Sequence, residues 1–118
     1  RSSDLVEVTT CHISLKIPPA IFRIQQMFSE DMKRIFSEAS EMIKALPGTH
    51  IHPSRGLLHI TNPGLRLWVT VEQTGPNAVG GLFTLTEYRV SGPIKVVATC
   101  AWEVITWIQR RIFEGEKK

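Results

Sequence analysis

The side chains best equipped for chemistry in this chain are four histidines and two cysteines. His50 and His52 would share one face of a strand, a geometry that suits a metal ion, with His12, His59, Cys11 and Cys100 as further donors. The spacing does not support such a site. No Cys-x-x-Cys or His-x-x-x-His pair occurs, and Cys11 and His12 would point to opposite faces of a strand. The histidines read as residues of a sheet edge and the thiols as buried packing. Cys100 falls on the apolar side of an expected helix, where a thiol is inert, and Ser91-Gly92 is a turn rather than a nucleophile elbow. Gly80-Gly81 lacks the lysine and helix that phosphate binding requires. Glu30 and Asp31 are explained by the dipole of a helix start. No catalytic constellation, metal, cofactor or small-molecule substrate is expected, and the chain does not read as an enzyme.

The elements that would position these groups follow from periodicity. Leu5 to Ile17 is rich in β-branched residues, and Ile13, Leu15 and Ile17 alternate with Ser14 and Lys16 as in a half-buried strand. Pro18-Pro19 ends it and opens a short helix from Ala20 to Met27. Ser29, followed by Glu30 and Asp31, is a hydroxyl N-cap with acids in the first turn. From there Met32, Ile35, Phe36, Ala39, Met42, Ile43 and Leu46 recur at helical spacing until Pro47-Gly48. Strands follow at Thr49–His52, Leu57–Thr61, Leu65–Gln73 and Leu82–Val90, separated by turn-forming clusters. A final helix is expected from about Pro93 to Phe113. The pattern is α+β, with helices on one side of an antiparallel sheet.

A length of 118 residues fits one domain, and 42% hydrophobic with 21% charged residues is ordinary for a folded globule. The longest apolar-rich run, Val96 to Ile108, contains Thr99, Glu103 and Thr106 and is too short to cross a bilayer. The net charge of +3 is spread rather than striped, which permits nucleic acid without requiring it. Two cysteines make no disulfide framework, and the expected setting is intracellular and reducing, cytoplasmic rather than nuclear. The chain reads as one domain excised from a longer protein, its last residues 114–118 frayed.

The element order resembles a KH domain, an RNA-binding module built as β-α-α-β-β-α. His12-Ile-Ser-Leu-Lys-Ile17 is similar to its first strand, Gly48-Thr-His-Ile-His52 to the strand after its second helix, and Tyr88-Arg-Val-Ser-Gly92 to its closing strand before the last helix. The resemblance implies a Gly-x-x-Gly turn between the first two helices, where backbone approaches the sugar-phosphate chain. Phe28, Ser29, Glu30 and Asp31 stand at that place. Phe28 adds bulk and the two acids add charge of the same sign as phosphate. In KH-like domains the loss of this turn goes with protein-interaction or dimerisation roles. The stretch from Arg55 to Gly81 exceeds what a minimal KH domain needs, which implies an extra hairpin or an enlarged variable loop.

Two binding readings remain. For single-stranded RNA, Trp68, Tyr88 and Phe83 offer aromatic faces, while Arg23, Lys33, Arg34, Arg55, Arg66 and Arg89 frame a groove; Arg55, in a Pro-Ser-Arg-Gly turn, is the first choice. For a protein partner or a second copy, the last helix carries Trp102 and Trp107 about 140° apart on the borders of its core face. With Arg110 and Arg111 beside them they have the composition of an interface hot spot. The expected work is therefore binding: weak association with single-stranded RNA, or scaffolding without any nucleic-acid role.

Overall fold

The computed structural model describes residues 4–10, 13–54, 56–74 and 82–114. Strands β1 (Val6–Thr10) and β2 (Ile13–Ile17) form an antiparallel hairpin in which Val6 faces Ile17 and Thr10 faces Ile13. One long strand was expected here. The β-branched run instead folds back on itself, each half supplying the other's backbone partners. The alternation within β2 holds, with Ile13, Leu15 and Ile17 buried and Ser14 and Lys16 exposed.

Helix α1 (Pro19–Gln25) begins at the proline pair, whose fixed φ is preset for a helix start. Helix α2 (Glu30–Ile43) follows, and the Ser29 hydroxyl accepts a hydrogen bond from the Met32 backbone N–H at 3.2 Å. The face carrying Met32, Ile35, Phe36 and Ala39 is buried. Gly48 leaves the following turn at φ 86°, a conformation open to glycine at little cost.

The rest of the sheet-forming chain is a meander: β3 (His50–Ser54), β4 (Leu57–Asn62), β5 (Leu67–Gln73), β6 (Phe83–Glu87) and β7 (Ile94–Ala98), paired antiparallel in that order. A single turn of 3₁₀ helix, Pro63–Leu65, joins β4 to β5. Asn62 holds that corner: it accepts from the Leu65 N–H at 3.2 Å and donates to Thr49 Oγ1 at 2.8 Å. Helix α3 (Ala101–Gln109) closes the chain and runs into a five-residue π-helical turn, Arg110–Glu114.

The coarse expectation of α+β architecture with antiparallel strands and three helices is met. The strand order differs from β-α-α-β-β-α. Short connections pair each strand with its chain neighbour, so β1 and β2 stay outside the five-stranded sheet. The last helix also starts later than expected. Ile94-Lys-Val-Val-Ala98 pairs with β6 as a strand, because β-branched residues beside an open sheet edge gain a hydrogen-bonding partner. The true helix start is marked by Glu103, whose carboxylate accepts from the Thr99 N–H at 2.8 Å and from its hydroxyl at 3.1 Å. Cys100 therefore stands at the N-cap position of α3, with no side-chain cap bond, and is exposed, not buried.

The core lies between the sheet and the helices. Leu58, Ile60, Val69, Val71, Phe83 and Leu85 project from one face of the sheet toward α2 and α3, which add Ile35, Phe36, Val104 and Ile108. Helix α2 also contacts the β1–β2 hairpin, so it is covered on both sides.

Candidate functional site

Among the described residues, two surfaces of this frame lack a packed helix or further strand: the β7 edge and the outer face of the sheet.

The five-stranded sheet ends in β3 on one side and β7 on the other. The β3 edge is guarded by Pro53, which has no N–H to offer, and by α1 packed against that strand. The β7 edge has only Lys95 as a guard. Its apolar residues remain open: Ile94, Val96 and Val97 are exposed, Val97 by 62%. Val96 points to the helix side of the sheet, yet α3 does not cover it. A groove of about 280 Å³ runs between β7 and α3, lined by Val96, Val97, Trp102, Thr106, Trp107 and Arg110. Trp102 is 66% exposed. Trp107 is half-buried and also packs against the core.

Arg111 departs from this group. It turns inward, and its Nη2 donates to Glu87 at 2.6 Å. Arg89 donates to the same carboxylate through Nε and Nη2 at 3.1 and 3.2 Å. Burial pushes the Glu87 carboxyl up, but these hydrogen bonds and the two positive charges outweigh it and hold the group below its ordinary value. The result is a clamp from the end of α3 to the end of β6.

The outer face of the sheet is largely polar, and Thr70 and Thr86 at its centre are buried. One transverse row runs His52, His59, Thr70, Thr86, Lys95 across all five strands. The next holds His50, Thr61 and Trp68. Trp68 stacks on Tyr88 with ring centroids 4.3 Å apart and planes tilted by 30°. The His59 imidazole is held below its ordinary value, first by burial and then by His52 beside it, and its Nε2 lies 3.1 Å from Ser54 Oγ. Among the described residues no three metal-ligating side chains gather round one point.

The residues at the place of the glycine turn are absorbed by the fold. Phe28 is in the core, and Ser29 both caps α2 and donates to Gln73 Oε1 at 2.5 Å. Glu30 pairs with Lys33 at 3.3 Å. Lys33 and Arg34 line a cleft of about 530 Å³ at the β1–α1–α2 corner, but Glu7, Glu30 and Asp31 line it too. Arg23 is exposed on α1 and does not line this cleft. Arg55, Cys11, His12 and Gly80-Gly81 fall outside the described residues. Of the three aromatics considered for RNA, Trp68 and Tyr88 come together, whereas Phe83 is fully buried.

Sequence reasoning missed the β7 edge because it extended the last helix over it. The Ile-Lys-Val-Val run and the Thr99–Glu103 spacing were the available signals. No family model, curated protein or solved structure matches the chain.

Proposed function

We propose that this chain is a non-catalytic protein-association module whose docking surface is the β7 edge with the α3 flank, and that the occupant is a second copy of the chain. The observation that carries this is a sheet edge whose Val96 and Val97 are exposed beside a two-thirds exposed Trp102. An open, apolar strand of this kind is a template for pairing.

Self-pairing suits the residues. Antiparallel pairing of β7 with itself about a two-fold axis at Val96 sets Lys95 opposite Val97 and Ile94 opposite Ala98. A register centred on Lys95 would oppose two lysines, which costs energy. Helix α3 contacts both β6 and β7. With strands about 4.8 Å apart, a helix lying between those two would meet its symmetry mate about 10 Å away, a normal helix-packing distance. Glu103 and Arg110 lie two turns apart beside the same groove, so the two-fold brings Glu103 of one copy to Arg110 of the other.

The KH-like reading is supported only in outline, by a helix pair preceding an antiparallel sheet and a closing helix; the consecutive strand order speaks against it. The acids in the cleft around Lys33 and Arg34 weigh against RNA there.

Light scattering over a concentration series tests the proposal. The wild-type chain should pass from monomer to dimer, and Val97→Lys, which places a charge on the exposed edge, should keep it monomeric at the same concentrations. A monomer at every concentration, or a dimer indifferent to Val97→Lys, overturns it.

A further inference from the structure

We infer that the outer face of the five-stranded sheet is a binding site for single-stranded nucleic acid, with bases stacking on the Trp68–Tyr88 pair and phosphates meeting Arg66 and Lys95. This lies on a different surface from the β7 edge and does not depend on it.

Three observations converge. First, Trp68 and Tyr88 are stacked on each other yet remain 46% and 38% exposed. That much exposed aromatic surface leaves room for a base to add to the stack. Base–aromatic stacking of this kind tolerates any sequence. Second, the charge is one-sided. Lys95 projects from β7 on this side and the exposed Arg66 stands one residue before β5, while Glu72 is the one carboxylate that projects from the paired strands on this side. Glu87 points to the opposite side and is occupied by Arg89 and Arg111. On the outer face the half-buried Thr61 hydroxyl can donate to a phosphate or sugar oxygen, whereas Thr86 is buried and the Thr84 hydroxyl shares a hydrogen bond with Thr74. The sign of this face suits a polyanion, and its hydroxyl and imidazole rows suit a hydrated partner better than an apolar one.

Third, Arg66 occupies a position where the backbone favours another residue. It sits in the turn two residues before Trp68 with φ 53°, the left-handed region. Asparagine or glycine would hold that turn with less strain. Strain retained by a bulky cation at the border of an exposed aromatic pair is accounted for by a task for that cation.

The test uses fluorescence anisotropy with labelled oligonucleotides of about 12 residues, single-stranded RNA, single-stranded DNA and a duplex, starting near 50 mM salt. Saturable binding of single strands that weakens as salt rises is expected, with the duplex weaker because its bases are already stacked. Trp68→Ala should weaken binding about 10-fold or more. Trp68→Leu, which keeps apolar bulk but no π-face, should lose as much, and it replaces the alanine variant if that one misfolds. Arg66→Gly should weaken binding while leaving the thermal midpoint unchanged or higher. Absence of saturable binding, equal affinity for the duplex, or wild-type affinity in Trp68→Leu overturns the inference.

Discussion

Replacing Trp102 by alanine separates docking from folding, because the residue is mostly outside the fold it belongs to. A tryptophan can bury on the order of 250 Å², and 66% of the Trp102 surface is still exposed in the isolated chain. About 165 Å² is therefore available to an interface, which at about 25 cal/mol per Å² sets a ceiling near 4 kcal/mol per copy. Ordering costs and partial coverage reduce that to about 2 kcal/mol, the usual scale of an interface hot spot. A two-fold dimer contains the residue twice, so Trp102→Ala should cost about 4 kcal/mol of dimerisation, close to three decades in Kd. Folding should suffer far less, by about 1–2 kcal/mol, because only the covered third of the side chain contributes to the monomer. The assay is sedimentation equilibrium for the dimer constant, paired with urea denaturation at a concentration where both proteins are monomeric. A dimer constant within threefold of wild type would refute the placement of α3 at the interface. A stability loss as large as the dimer loss would refute the claim that Trp102 is held in reserve for a partner.

Three further outcomes follow from the geometry. Glu87→Gln should release both Arg89 and Arg111, and it should flatten the acid limb of the stability–pH curve. The Glu87 pKa is lowered in the fold, so its contribution is complete above the unfolded value of 4.5 and is lost as pH falls through the folded value; acid melts of the two proteins should converge. His59 has its pKa lowered, so below about pH 6.5 the unfolded chain takes up the proton first and stability declines. His59→Gln should remove part of that decline, and an unchanged melt between pH 7 and 5 would contradict it. Ser29→Ala removes the N-cap of α2 and the bond to Gln73, and chemical denaturation should register a loss of about 1–2 kcal/mol.

Where one physical signal acted alone, the sequence was readable. Helix α2 is the clearest case: an N-cap hydroxyl, acids in the first turn and an apolar stripe at helical spacing all agree, although the helix ends at Ile43, ahead of the expected Pro47-Gly48 stop. The alternation in β2 and the turn clusters between β3, β4 and β5 were equally direct. Misreadings came where two signals overlapped. Residues 94–98 are apolar and β-branched, and they abut a helix whose pattern extends smoothly into them; only the partner strand β6 decides the outcome, and a partner is not visible in local periodicity. The division of this run into β1 and β2 was hidden because both are rich in β-branched residues. The Trp68–Tyr88 pair depends on register between β5 and β6, so it too required the fold.

The two unpartnered surfaces are geometrically coupled if both are used. Pairing two β7 edges would turn two outer faces into one continuous face of ten strands. Five strand spacings of about 4.8 Å separate Trp68 of one copy from Trp68 of the other, and each lies about 10 Å along the strand direction from the axis, on opposite sides. The two aromatic pairs would then sit about 30 Å apart. A strand of about 12 nucleotides spans that distance even at 3.4 Å per residue, whereas one of about 4 does not. The longer ligand should gain from its second contact, on the order of 10²-fold at most linker geometries that reach. Val97→Lys, made to break the dimer, should therefore weaken binding of the long oligonucleotide and leave the short one unchanged, measured at a protein concentration where the wild type is dimeric. The substitution adds a positive charge to the outer face, so electrostatics alone would strengthen both. A loss confined to the long ligand can arise only from separating the two copies, and a parallel change for both lengths would show that the faces act independently.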